Sequence, residues 1–291
     1  MRSDLLPDLD KKTYVMGIIN LTPDSFSDDG LLNQPETEKK ALEQALRFVR
    51  DGADILDLGA ESTRPGSKKL DSGEELERLL PALSLIRREL PDTLISVDTY
   101  KASTARVCLA QGADMINDIW GFQFDPAMAA TAAEFGATAI LMHNRELGAR
   151  AVSGNLGGHY EDVEYDDIVA EVCAFLQKSV QLALASGLKK GQIIIDPGIG
   201  FGKTIKQNLY LMNHLDALKA LDFPILLGIS RKGFIGHTLN LPQSERLEGS
   251  LAANAWGMMM GASILRVHDV RETVRLARML DAIRNADPAR T

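Results

Sequence analysis

The sequence predicts an α/β protein built as a single (β/α)8 TIM barrel, with eight parallel strands and an active site at their C-terminal face. Three observations carry the prediction. Eight short runs of β-branched and aliphatic residues alternate with stretches whose apolar residues recur at helical spacing. Successive runs begin roughly 20 to 55 residues apart, which demands crossovers rather than hairpins and hence a parallel sheet. Most runs end in polar side chains, as in barrels whose chemistry sits at the strand ends. A doubly wound open sheet shares the first two features. Eight such units in 291 residues, with no repeat or linker, fit one barrel better. The barrel is expected over 13–287, with a short extension at 1–12 and a tail at 288–291.

The first run, Tyr14–Asn20, delivers Asn20 to its end. Leu21-Thr-Pro-Asp-Ser-Phe-Ser-Asp-Asp-Gly30 follows, dense in turn formers, with Phe26 marking it as a flap. A helix over 36–50 gathers Ala41, Leu42, Ala45, Leu46 and Val49 on one face. The second run, 53–60, leads into Glu61-Ser-Thr-Arg-Pro-Gly-Ser67. Ser72 and Glu75 have capping-box spacing and open a helix with Leu76, Leu79, Leu80, Leu83 and Ile86 inward. The third run, 94–99, carries Asp98, and a short helix then reaches the stop glycine Gly112. The fourth, 115–120, holds Asn117 and Asp118, and the fifth, 138–144, ends Leu-Met-His-Asn. The longest irregular stretch is 145–165, and a long helix is expected over 166–186. The sixth run is Ile193-Ile-Ile-Asp196. The seventh, 224–230, ends in Ser230-Arg-Lys-Gly-Phe234, and the eighth, 263–268, in Arg266-Val-His268. Asp269 and Glu272 read as a second capping box, opening the last helix.

Composition narrows the function. With 45% hydrophobic and 25% charged residues the chain can bury a sizeable core, and its net charge of −8 argues against nucleic acid or an anionic membrane as partner. Cys108 and Cys173 lie in apolar helical patterns and read as packing residues, so neither disulfides nor a cysteine metal site is expected. The first residues lack a continuous apolar core and no apolar run approaches a membrane span, so a cytoplasmic protein is expected.

Asp196-Pro-Gly-Ile-Gly-Phe-Gly-Lys-Thr204 looks like a nucleotide motif and is not one. Pro197 stands where a P-loop needs its first glycine, and the third glycine comes one place too early for a dinucleotide fingerprint. What remains is a carboxylate at the end of an apolar strand, which is costly unless something pairs with it. The design recurs: Asn20, Asp98, Asn117, Asp196, Ser230, Lys232, Arg266 and His268 all fall at or just past predicted strand ends. Barrel closure would bring them to one mouth. Asp98, Asn117 and Asp196 suit a flat, nitrogen-rich heterocycle, because a carboxylate accepts two parallel N–H bonds from an aminopyrimidine edge. Arg64, Arg266 and His268 suit a phosphate or pyrophosphate, and Asn20 can ligate a hard cation. Lys232 lies between the two sets.

These motifs resemble the bacterial dihydropteroate synthases from about Tyr14 to Ile283. The resemblance rests on Gly17-Ile-Ile-Asn-Leu-Thr-Pro-Asp-Ser-Phe26, Asp57-Leu-Gly-Ala-Glu-Ser-Thr-Arg-Pro-Gly66, Ser96-Val-Asp-Thr99 and Asn117-Asp118. It continues in the Asp196 turn, Ser230-Arg-Lys232 and Arg266-Val-His268. It implies condensation of 6-hydroxymethyl-7,8-dihydropterin pyrophosphate with p-aminobenzoate in folate biosynthesis, a transferase reaction assisted by Mg2+. By resemblance, Asp98, Asn117, Met142, Asp196, Phe201 and Lys232 hold the pterin. Thr63, Pro65 and Ser230 place p-aminobenzoate, and Asn20, Arg64, Arg266 and His268 meet the pyrophosphate, Asn20 also the metal. Lys232, Asp98 and Arg64 would be catalytic. A homodimer, inhibition by sulfonamides, and an interface near Met258-Met-Met260 and the C-terminus are likewise implied. The sequence departs from the family where His143-Asn-Arg-Glu-Leu-Gly148 replaces a Met- and Gly-containing loop. A pterin-dependent methyltransferase is the nearest rival, and a catalytically silent pterin-binding paralogue the second. The first has no use for the cations, and the second should have lost Lys232 or the two loop motifs.

Overall fold

The structure, a computed structural model, describes residues 5–9, 11–22, 34–61, 69–146 and 149–286. Among them eight strands close into a parallel barrel: β1 (Tyr14–Asn20), β2 (Ile55–Gly59), β3 (Leu94–Asp98), β4 (Met115–Asp118), β5 (Thr138–Met142), β8 (Ile193–Asp196), β9 (Ile225–Leu227) and β10 (Ala262–Val267). The order around the barrel is β1-β10-β9-β8-β5-β4-β3-β2, and β2 pairs with β1 to complete it. Helices α1 (Gln34–Asp51), α2 (Ser72–Glu89), α3 (Ala102–Ala110), α4 (Met128–Phe135), α5 (Ile168–Ala185), α6 (Ile205–Asn213), α7 (Gly233–Leu239), α8 (Leu247–Met260) and α9 (Val270–Arg284) follow or flank the strands.

Strand alternation sorts the side chains into layers. Outward residues such as Ile19, Leu56, Leu58, Val97, Ile116 and Leu141 join the core beneath the helices. Inward residues Met16, Ile55, Met115, Ile140, Ile194, Leu226 and Ile264 form a second core at the N-terminal end of the barrel. Leu5, Leu6 and Leu9 pack against it, so the expected N-terminal extension plugs the barrel floor. Two positions further along, the inward residues change character to Asp57, Asn117, Met142, Asp196, Gly228 and Arg266. That shift from apolar floor to polar ceiling is what places the site.

Several local expectations are corrected. The second, third, fourth, fifth, seventh and eighth strands stop one to three residues short of the predicted ends, because alternation persists into the loops after ladder pairing has ceased. The α2 capping box is Asp71 with Glu74: the Asp71 side chain accepts from the Glu74 amide at 2.9 Å. Glu75 is left free to be buried against Lys101 at 3.2 Å and Thr104 at 2.7 Å. Asp269 does not cap α9, because its carboxylate is taken by Arg231, with Nε at 2.9 Å. Within the stretch expected to be irregular lies an antiparallel hairpin of β6 (Arg150–Val152) and β7 (His159–Glu161). Finally, α5 is long and apolar enough to cross a membrane, contrary to the expectation of no such run. Its Ile168, Val172, Leu176 and Val180 are buried, and the helix packs against β5 and β8.

Candidate active site

The polar ceiling is a connected network. Asp57, fully buried in the middle of β2, accepts from Arg266 Nε at 2.6 Å and from Asn117 Nδ2 at 3.3 Å. The other end of the Arg266 guanidinium donates to Asp98 at 2.7 Å. Three residues from β2, β3 and β10 thus form a carboxylate–guanidinium–carboxylate bridge across the mouth. Gly228 lies against it, with the Arg266 Cδ and an Asp196 carboxylate oxygen both 3.8 Å from where its Cβ would be, an ordinary contact distance. Asp196 and Arg266 therefore meet at one rim, as the convergence of strand ends requires.

Burial sets the charges. Desolvation pushes the Asp98 carboxyl up to about 7, with Arg266 opposing the shift. Desolvation also raises Asp196, against the pull of Lys232. Lys232 is lowered to about 8 by its dry surroundings despite Asp196 nearby. For Arg266 burial works against the charge, but Asp57 and Asp98 outweigh it and hold the guanidinium above its usual value. The expected separation of acceptors from anion-gripping cations is not what the side chains adopt. Arg266 lies among the acceptors, because a carboxylate as deep as Asp57 needs a cation beside it.

Lys232 follows β9, donates to the Ile199 carbonyl, and lies with its ammonium 4.5 Å from the centre of the Phe201 ring. Phe201 and Met142 pack with Tyr100, Ile119 and Trp120 into a small apolar wall beside the polar groups. Such a wall next to paired acceptors accommodates a planar ring. Ser230 and His268 stand together, with Ser230 Oγ 3.2 Å from His268 Nδ1 and accepting from its backbone N–H at 3.3 Å. Asn20 ends β1 half-buried, and its carboxamide makes no hydrogen bond among the described residues. Thr63, Arg64 and Pro65 lie outside the described residues.

The turn after β8 carries two of these groups and has its own support. Asp196 Oδ1 accepts from Gly198 N at 2.7 Å, leaving the second oxygen turned to the mouth near Arg266 and Lys232. Gly198 and Gly202 have φ of 66° and 58°. A Cβ at Gly198 would overlap the His143 carbonyl oxygen and one at Gly202 the Arg145 backbone, so only glycine fits. Beneath the turn Lys203 is wholly buried and donates to His143 Nδ1 at 2.8 Å, Gly198 O at 2.8 Å and Phe201 O at 3.1 Å. Burial drives the His143 imidazole down to about 2, so the ring is neutral and its Nδ1 accepts.

Sequence reasoning missed Asp57 and Lys203 as site residues. Asp57 was detectable as a carboxylate two places after an inward isoleucine, in the same phase as Asn117 and Asp196. Lys203 was read only as part of a failed phosphate motif. Asp118, noted beside Asn117, points the other way. It accepts from the Trp120 and Phe122 amides at 2.8 and 2.9 Å, a turn-forming role, and burial raises it to about 7. Among the described residues no group of three His, Cys, Asp or Glu side chains has the geometry of a metal site.

Comparison with known proteins agrees with this geometry. The profile of the pterin binding enzyme family matches residues 16–268. The chain is 44% identical to the dihydropteroate synthase of Bacillus subtilis, over 94% of this chain and 90% of that protein. A dihydropteroate synthase structure from Clostridium difficile, determined in the presence of pteroic acid, superimposes with a TM-score of 0.87 at 42% identity, covering 97% of this chain and 100% of that one. One from Xanthomonas albilineans with 4-aminobenzoic acid gives 0.84 at 38% identity, covering 96% and 95%.

Proposed function

The chain belongs to the dihydropteroate synthases of the pterin binding enzyme family, and from that premise we propose how its strand ends share the reaction. It is a transferase that condenses 6-hydroxymethyl-7,8-dihydropterin pyrophosphate with p-aminobenzoate, giving 7,8-dihydropteroate and pyrophosphate in folate biosynthesis. The relatives are synthases, so they support this reaction over the methyltransferase and silent-paralogue alternatives.

Asp196, with one oxygen held by Gly198, offers its other oxygen to the aminopyrimidine edge, and Asn117 and Asp98 complete the hydrogen-bonding edge. Met142 and Phe201 cover the ring, and Lys232 donates to its acceptors from across Phe201. The methylene carbon of the pterin becomes electron-poor as its C–O bond breaks and the electron pair departs with pyrophosphate. The Asp98 carboxylate stabilises that carbon electrostatically. The neutral arylamine then forms the C–N bond and releases its proton to solvent, so no strong base is required.

Arg64, Arg266, His268 and Asn20 take the pyrophosphate, and Thr63, Pro65 and Ser230 place p-aminobenzoate. Arg266 spends its Nε and one Nη2 N–H on the bridge to Asp57 and Asp98, and its other N–H groups would donate to the anion. Mg2+ supplies neutralisation of the departing charge. The carboxamide oxygen of Asn20 fits a hard cation and would help to hold it.

We place the enzyme in the cytoplasm as a homodimer. Exposed apolar side chains on adjoining helices support the dimer: Leu209 and Tyr210 on α6, Trp256 and Met259 on α8. Met258 of the same methionine run is buried in the core.

The observation that carries the reading is the joining of Asp57, Asp98, Asn117 and Arg266 beside the Phe201–Met142 wall. Pyrophosphate release that requires the pterin substrate, p-aminobenzoate and Mg2+ together is the expected result. Release without p-aminobenzoate would refute the condensation.

A further inference from the structure

The turn that carries Asp196 and Phe201 is held by two lysines from opposite sides. Lys232 reaches the Ile199 carbonyl from the mouth, and Lys203 reaches the Gly198 and Phe201 carbonyls from the interior. We infer that Lys203 is a positioning residue for the pterin: its side chain fixes the Gly-rich turn from below and so sets where the Phe201 ring and the Asp196 carboxylate meet the substrate. The inference deepens the reading of this mouth as a pterin site and rests on it.

Three features support it. Burial pushes the Lys203 amine well below its ordinary value, and the structure sets three acceptors around it, at 2.8, 2.8 and 3.1 Å, which match the three N–H donors of its protonated form. Among the described residues no carboxylate touches it: its partners are two carbonyls and a neutral imidazole, an arrangement that gives direction to a backbone turn and no ion pair. The acceptors also span the functional groups. Gly198 is the residue whose amide holds Asp196 Oδ1, and Phe201 is the ring itself. His143 extends the clamp to β5, since its amide donates to the Asp196 carbonyl at 3.0 Å and its ring packs edge-on against Phe175 at 4.9 Å. Two further carbonyls of the turn are also engaged, Gly202 by Tyr165 and Lys203 by Asn208. Among the described residues Lys203 is the side chain that hydrogen-bonds both the Gly198 and the Phe201 carbonyls.

The test is the Lys203→Met variant, which keeps the volume of the stem and removes the donors. Folding is checked by circular dichroism and thermal melting. Amide hydrogen exchange is followed for residues 197–203 without ligand. KM is measured separately for the pterin pyrophosphate and for p-aminobenzoate. The expected results are at least tenfold faster exchange confined to the turn, a KM for the pterin raised about tenfold or more, and a KM for p-aminobenzoate within about twofold. Equal rises in both KM values, or a lowered melting temperature with unchanged pterin KM, would show a merely structural role and overturn the inference.

Should Lys203→Met fail to fold, Lys203→Gln carries the test. Its carboxamide keeps two donors, and the same selective rise in pterin KM, smaller than a donor-free side chain would give, is expected. A folded Lys203→Gln with both KM values at the wild-type level overturns the inference. The wild-type assay separates the two readings. If the wild-type protein binds no pterin, the functional reading fails, while localised exchange in the variant still reports on the clamp.

Discussion

Burial brings the titrations of Asp98 and Lys232 close together, at about 7 and about 8. Asp98, raised to about 7, is neutral below that pH and carries its charge above it; Lys232, lowered to about 8, is charged below that pH and neutral above it. If the carboxylate stabilises the reacting carbon and the ammonium holds the ring, kcat/KM for the pterin substrate rises through about pH 7 and falls through about pH 8. A flat profile across that range would remove both from the free-enzyme equilibrium. Lys232→Ala should cost about 10²–10³ in rate, the usual loss for one charge contact, and near-wild-type turnover would exclude Lys232. Asp57 makes a different demand. Asp57→Ala leaves the buried Arg266 with one carboxylate, so a loss of about 3 kcal/mol in urea unfolding is expected. At this scale the sequence was readable wherever a polar residue ended an apolar run. It was opaque for Asp57 and Lys203, whose importance lies in partners more than a hundred or about sixty residues away, at Arg266 and His143.

At the scale of elements, two segments have more to do than their composition announced. The turn after β8 tolerates no side chain at Gly198. Gly198→Ala combines a left-handed backbone with overlap on the His143 carbonyl, so a loss of about 1–3 kcal/mol or more is expected, with weakened pterin binding measured by calorimetry. The N-terminal segment was expected to be an appendage, yet Leu5, Leu6 and Leu9 close the barrel floor. Removing residues 1–9 should cost about 2–4 kcal/mol in chemical unfolding, from three half-buried leucines. All eight barrel strands were legible, because alternation and β-branching recur in each. Helix starts were less so. Two overlapping Asp/Ser-x-x-Glu spacings precede α2, and only packing decides that Glu75 goes inward and Glu74 caps. The α8 helix was nearly invisible, since apolar residues lie on all its sides and no face stands out. The β6–β7 hairpin has strands of three residues, too short for a pattern.

For the whole molecule, closure is what turns scattered residues into a site, and it was inferred from the number and spacing of the runs and their polar ends. The barrel order bears it out, with β2 pairing β1 from Gly59 to Asn20. What spacing could not show was how the charges distribute once inside: they interleave across the mouth. Sulfonamides mimic p-aminobenzoate, so velocity curves should show competition with that substrate, and unchanged velocity at saturating drug would contradict the placement of its subsite. Sedimentation equilibrium should give twice the 31.7 kDa chain mass, and Tyr210→Glu with Met259→Glu should return it to one.

The interleaving has a consequence for ionic strength. Asp57 and Asp98 flank Arg266 and Asp196 faces Lys232, and burial raises Asp98 and Asp196, so the cavity's interior carries little net charge before anything enters. An uncharged dihydropterin alcohol then displaces water but few counterions, and its affinity should barely change between about 50 and 500 mM salt. On the proposed reading the diphosphate ester would extend past that balanced interior toward His268, and its extra affinity over the alcohol should fade as salt is added.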